Sequence, residues 1–269
     1  MKVATFLATM AAVASAWQAP QYNGYSRVWQ ATFMGPRGTL PHPNNWNIIE
    51  GDENHNNEFQ RFTSSTQNVL FSGSDTLQII PRRDSKAPNG WTSARIESKY
   101  TILPRDGKIT RIESSLRLAG NPRERKQGIW PAFWMLADTY RKGLAEWPGC
   151  GEIDIMENIN GQPVGHATTH CDVYPGGRCN EPSGLSSGVT LADNQYHVWR
   201  VEFDRTKRDF NDQTITWFMD GAQFHKITGR IVGDAAVWAT LAQNPMYIIL
   251  NVAVGGNWVS LSPSSFYQW

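Results

Sequence analysis

Excess charge of either sign is missing from this 269-residue chain: 25 Lys and Arg stand against 24 Asp and Glu, a net +1 with His neutral. Without a basic field, neither nucleic acid nor anionic lipid is an expected partner. The balance suits an uncharged polymer better than a sulfated or uronic-acid glycan, which would call for basic groups. No apolar stretch reaches the ~20 residues that a membrane-spanning helix needs, so no membrane anchor is expected. Cysteine is scarce, with only Cys150, Cys171 and Cys179. No C-x-x-C pair occurs among them, which argues against a cysteine metal cluster. N-x-S/T sequons are absent, and N-glycosylation is not expected. Helical periodicity is rare as well; residues 232–241 alone have the pattern of a short helix. No internal repeat, low-complexity linker or appended binding module is visible.

Residues 1–16 read as a secretory signal peptide. Lys2 supplies the positive start, residues 3–13 the apolar run, and Ala14-Ser15-Ala16 a small-residue cleavage site. The expectation is a secreted, extracellular or cell-wall-associated protein whose mature domain covers residues 17–269, with a charge balance of zero once Lys2 is removed. Secretion permits disulfides. Cys171 and Cys179 flank Pro175-Gly176-Gly177, a turn signal, and are expected to staple a small loop. Cys150 is then left over as a buried, inert thiol.

Strand-like segments recur at 76–80, 95–100, 109–118, 132–136, 196–204, 214–220 and 246–254, rich in β-branched and aromatic residues and punctuated by Gly, Pro, Asn and Asp. Asp220-Gly221 reads as a tight hairpin turn; residues 82–90 and 121–126 read as surface loops. The pattern is all-β, two packed antiparallel sheets in one domain, with a monomer as the default. It does not choose among sandwich topologies.

Glu152-Ile153-Asp154-Ile155-Met156-Glu157, preceded by Gly151, carries the chemistry. On a regular strand Glu152 and Asp154 share a face and Glu157 points the other way. One extra residue around Ile155-Met156, a β-bulge, returns Glu157 to the face of Glu152. Two glutamates with a third acid between them suit glycoside hydrolysis, in which an ionised carboxylate attacks the sugar and a protonated one releases the leaving group. Two carboxylates held close do not share one pKa, because ionising one raises the other.

Upstream lie Ile129-Trp130-Pro131-Ala132-Phe133-Trp134-Met135-Leu136 and Trp147-Pro148-Gly149-Cys150. Downstream come His166, His170 and Asn251-Val252-Ala253-Val254-Gly255-Gly256-Asn257-Trp258. This ordered set, from about Trp29 to Trp258, resembles glycoside hydrolase family 16 in its laminarinase-like branch. The resemblance implies a jelly-roll sandwich with a concave substrate cleft and retention of anomeric configuration. By motif position Glu152 would be the nucleophile and Glu157 the general acid/base, with Asp154 tuning Glu152. The bulged spacing is shared with galactan-active enzymes, but the surrounding motif points to β-1,3-glucan, with mixed-linkage glucan as a second substrate.

Flat aromatic faces suit sugar C–H faces. By resemblance Trp147 would stand beside the cleavage point, and Trp258 and His170 on the leaving-group side. Trp134 would be cleft wall or core. Asn57 would bond a distal sugar or order its own loop, and Arg95 would reach the cleft floor or form an ion pair on the sheet. Trp199 and Trp217 fit the core or the convex side. His166 and His170 are four residues apart, roughly 13 Å along a strand, too far for one ion, so neither metal nor cofactor is expected. Many family members hold a structural calcium on the convex face, formed in part by a closing strand. Here the chain stops at Phe266-Tyr267-Gln268-Trp269 without a recognisable closing strand. That strand is expected to be missing, the calcium with it, and a neighbouring edge to be left unpaired. The rival readings are a cell-wall glucan transglycosylase using the same glutamates, a galactan hydrolase, and a non-catalytic β-glucan-binding protein. The presence of both glutamates weighs against the last.

Overall fold

The computed structural model describes residues 20–52 and 55–259. The expected signal peptide and the expected loss of a closing strand fall outside the described residues. In chain order the strands are β1 (Trp46–Ile49), β2 (Gln60–Phe62), β3 (Val69–Phe71), β4 (Leu77–Ile79), β5 (Arg82–Arg83), β6 (Trp91–Ser93), β7 (Arg95–Ile102), β8 (Ile109–Leu116), β9 (Ile129–Ala137), β10 (Glu152–Glu157), β11 (Val164–His170), β12 (Ser187–Thr190), β13 (His197–Asp204), β14 (Thr214–Met219), β15 (Ala222–Thr228) and β16 (Met246–Val254). Among the described residues three short α-helices interrupt them: α1 (Asp138–Arg141), α2 (Gly229–Val232) and α3 (Ala235–Ala242).

A seven-stranded sheet runs β1-β7-β16-β9-β10-β11-β12, and a four-stranded sheet runs β15-β14-β13-β8. Both are antiparallel throughout. Period-2 alternation turns one face of each toward the other. On β13, Trp199, Val201 and Phe203 point inward; on β9, Phe133 and Met135 do. They meet Ile153, Ile155, Ile215 and Trp217 in one continuous core, where each large apolar side chain contributes about 1.5–3 kcal/mol. Trp199 and Trp217 are therefore core residues. The opposite face of the seven-stranded sheet, which carries Glu152 and Asp154, is left to function.

The predicted strands at 76–80, 95–100, 109–118, 132–136, 196–204, 214–220 and 246–254 are present, with the expected hairpin turn between β14 and β15. Three details differ. Arg82–Arg83 is not loop but a two-residue strand pairing with β6. Arg123–Lys126 winds into a 3-10 turn. The helix expected over 232–241 is split, because Gly233 takes a left-handed conformation (φ 70°) that ends α2. Asp234 then caps α3 by accepting from the Ala236 and Val237 N–H groups at 2.8 and 3.0 Å. Cys171 and Cys179 are joined, and Cys150 is free and buried. No helix among the described residues is long and apolar enough to cross a membrane.

Candidate active site

The site is built by an irregularity in β10. Glu152 lies opposite His170 on β11 and Leu136 on β9, and Asp154 lies opposite Thr168 and Trp134. Then the register slips by one residue, and Glu157 lands opposite His166 and Ala132. Ile155 and Met156 are consecutive, yet both turn into the core. This is the predicted bulge, and it brings the third carboxylate onto the face of the first two. Bulges disrupt the ladder locally. Here the Trp217 indole N–H reaches from the opposite sheet and donates to the Asp154 backbone carbonyl at 2.8 Å. Gly151, just before the strand, sits at φ 89°, and a Cβ there would stand 2.8 Å from the Thr240 carbonyl oxygen. Only glycine fits that close approach.

The three acids differ in surroundings. Asp154 is 3% and Glu157 7% exposed, whereas Glu152 is half-buried. Burial pushes the Glu157 carboxyl up to about 7; the Trp130 indole, donating to Oε1 at 2.8 Å, pulls the other way, and the Glu152 charge adds to the rise. Burial, then the charges of Glu157, Glu152 and Glu181, hold Asp154 well above the usual carboxylate range. Glu152 is also raised by burial, but it has the strongest cationic support. His170, Arg95 and a hydrogen bond from Trp147 all favour its ionised form, while Glu181 opposes it. All three carboxyls are thus raised by burial, and Glu152 is the one whose rise both His170 and Arg95 oppose.

His170 is held from behind. Its Nδ1 lies 2.6 Å from Glu181 Oε2, and Glu181 Oε1 accepts the Cys171 N–H at 2.9 Å. The Glu181 side chain is fully buried. Burial depresses the imidazole pKa, but the Glu181 hydrogen bond and the charges of Glu152, Glu181 and Glu157 outweigh it and leave it raised. His170 therefore sits at the Glu152 end of the row. His166 stands at the other end, its pKa lowered by burial and its ring 5.2 Å from that of Trp258.

Two exposed indoles bracket the acids. Trp147, 37% exposed, lies 5.7 Å from the His170 ring. Trp258, 38% exposed, lies 5.2 Å from Trp130 at the Glu157 end. Trp134 belongs to this face rather than to the core: it sits opposite Asp154, donates to Asn251 Oδ1 at 2.7 Å, and has the Arg95 guanidinium 5.0 Å from its ring centre. Arg95 combines both expectations, lying on the face and paired with Glu97 at 2.8 Å. Asn57 has φ 58° and donates to Asn257 Oδ1 at 2.8 Å, so it ties its loop to the one bearing Trp258. The Cys150 thiol is pushed up to about 12 by burial and by the Glu152 charge, which fits an inert group.

Several side chains around the acidic row had no expected place there. Trp130 lies two residues before Ala132, the partner of Glu157, so alternation through the bulge register could have placed it. Asn251 stood inside a quoted motif; Glu58, next to Asn57, is a half-buried acid raised by desolvation, close enough to add to the Glu157 shift. Glu181 had no sequence signal, because only the folded loop brings it behind His170.

This architecture has counterparts among known proteins. Residues 63–198 match the family described as XgeA-like, catalytic GH16 domain. A beta-glucanase of Rhodothermus marinus is 31% identical over 227 residues, covering 81% of this chain and 72% of that protein. The crystal structure of an endo-1,3-beta-glucanase from Streptomyces sioyaensis is similar with a TM-score of 0.84 at 33% identity, over 93% of this chain and 91% of that one. The laminarinase from Rhodothermus marinus gives 0.70 at 28% identity, over 89% and 91%. An antiparallel β-sandwich with a row of acids on one open sheet face defines a class of glycoside hydrolases. The chain belongs to glycoside hydrolase family 16, on its laminarinase-like side.

Proposed function

We propose that the protein is a secreted, monomeric, retaining endo-β-1,3-glucanase acting on laminarin-type glucan, with β-1,4 bonds of mixed-linkage glucan as secondary targets. The observation that carries this is the β10 bulge, which aligns Glu152, Asp154 and Glu157 on one open face. The activities of the similar beta-glucanase, endo-1,3-beta-glucanase and laminarinase support the substrate. The signal-like leader and the Cys171–Cys179 disulfide support secretion.

In this reading Glu152 attacks the anomeric carbon while Glu157 protonates the departing oxygen. A water deprotonated by Glu157 then cleaves the glycosyl ester. Asp154, its carboxyl raised by burial and by the charges of its neighbours, lies between the two glutamates and tunes Glu152. Trp130 fixes the acid, and His170 and Arg95 keep the nucleophile ionised. Trp147 and Trp258 are platforms for sugar rings on the two sides of the scissile bond, and Trp134, Arg95 and Asn57 extend the binding face. The test is reducing-sugar release from laminarin, lichenan and agarose. Turnover of laminarin above the other two, abolished in Glu152→Ala, is expected. Wild-type-like turnover by Glu152→Ala would remove Glu152 from the mechanism, and preference for agarose would make the enzyme a galactan hydrolase.

A further inference from the structure

The expectation of no metal rested on pairing His166 with His170. The fold pairs His170 with acids instead. Glu152, Asp154 and His170 each offer a ligand atom, and these atoms lie within 4.8 Å of one another. His170 Nε2 is 3.5 Å from Asp154 Oδ2 and 4.0 Å from Glu152 Oε1. Ligands bound about 2.0–2.2 Å from a tetrahedral zinc ion stand roughly 3.3–3.6 Å apart, so small side-chain shifts bring the three onto one ion.

Two observations beyond the crowding of acids point to a cation. Asp154 is 3% exposed, faces His170, and its Oδ2 has no hydrogen-bond partner, an orphaned buried oxygen that requires an explanation. The second is the buried Glu181 carboxylate behind His170 Nδ1. A carboxylate that accepts the N–H of one imidazole nitrogen aims the other at the site, where an ion binds by displacing its proton, the arrangement that orients metal-binding histidines. His197 shows the contrast: Asp220 and Asp193 sit on its two different ring nitrogens, so they cannot close on one ion with it.

We propose that Glu152, Asp154 and His170 form a binding site for a zinc ion, and that occupancy switches the enzyme off. The switching rests on the functional reading above; the binding does not. One imidazole with two carboxylates suits zinc, whereas calcium and magnesium take oxygen ligands. Three protein ligands leave a fourth position for water. Bound zinc holds the Glu152 lone pair that would attack the sugar, so zinc and substrate compete for the nucleophile.

The experiment is calorimetric titration of untagged, chelator-treated protein with zinc chloride in the absence of glucan, followed by laminarin hydrolysis over the same zinc range. One zinc per chain is expected, with activity falling as the site fills and returning on addition of EDTA. Calcium and magnesium should not displace it. His170→Gln and Asp154→Asn should each weaken zinc at least tenfold, Glu181→Gln should weaken it about 10–100-fold, and His197→Gln should leave it unchanged. Weakening in either His170→Gln or Asp154→Asn supports the site. Absence of stoichiometric binding, or an affinity that neither variant changes, overturns it. Because binding is read without substrate, failure on laminarin with zinc binding intact would count against the glucanase reading alone.

Discussion

Glu157 is a buried acid whose Oε1 accepts from the Trp130 indole at 2.8 Å. The folded carboxyl is raised from 4.5 to about 7, so between those values the folded state holds a proton that the unfolded state has released. Stability therefore falls as pH rises through that window and levels off above it. Glu157→Gln, which carries no charge, should raise the melting temperature relative to wild type more at pH 8 than at pH 5, while lowering kcat on laminarin by about 10²–10⁴-fold. Equal changes in melting temperature at both pH values would mean that Glu157 does not titrate as described. Trp130→Phe removes the donor that favours the ionised form. The alkaline limb of the pH–rate profile, where the acid loses its proton, should then move upward; an unmoved or lowered limb would deny Trp130 that role. At this scale the sequence revealed the carboxylates because all three fall within six residues. Trp130 and Glu181 were harder to see, since they act across strands and loops that only folding brings together.

The bulge in β10 is the element that makes the site. Its existence was legible, because three acids at spacing two and three can share a face only if one residue is extruded. The device that steadies it was not legible: Trp217 comes from the other sheet, and nothing local marks it as the donor to the Asp154 carbonyl. Trp217→Phe keeps most of the buried ring area but orphans that carbonyl. The expected cost is about 1–3 kcal/mol, read by urea unfolding, together with a drop in kcat larger than any change in KM. A variant with reduced stability and unchanged kcat would show that the bulge holds without Trp217. The split between α2 and α3 has the same lesson: apolar periodicity ran through Gly233, but its left-handed backbone and the Asp234 cap stopped one helix and started another.

At the scale of the molecule, the two sheets and the long strands of the core were readable from alternation and turn signals. The short strands β1, β2, β3, β5, β6 and β12 were not, because two to four residues are too few to show a period. The Cys171–Cys179 staple links stability to the site, since Glu181 follows two residues after Cys179 and reaches back to His170 and Cys171. Replacing both cysteines by alanine should cost ~2–3 kcal/mol for a loop of this separation and lower kcat. An equal loss of stability with kcat intact would confine the staple to folding.

In the proposed double displacement Glu152 is the nucleophile and Glu157 the acid and then the base. Following the first seconds of laminarin cleavage by proton NMR tests it most directly. New reducing ends are expected to appear first as the β-anomer, with the α-anomer growing in only by mutarotation. First appearance of the α-anomer would mean single displacement by water and would contradict it.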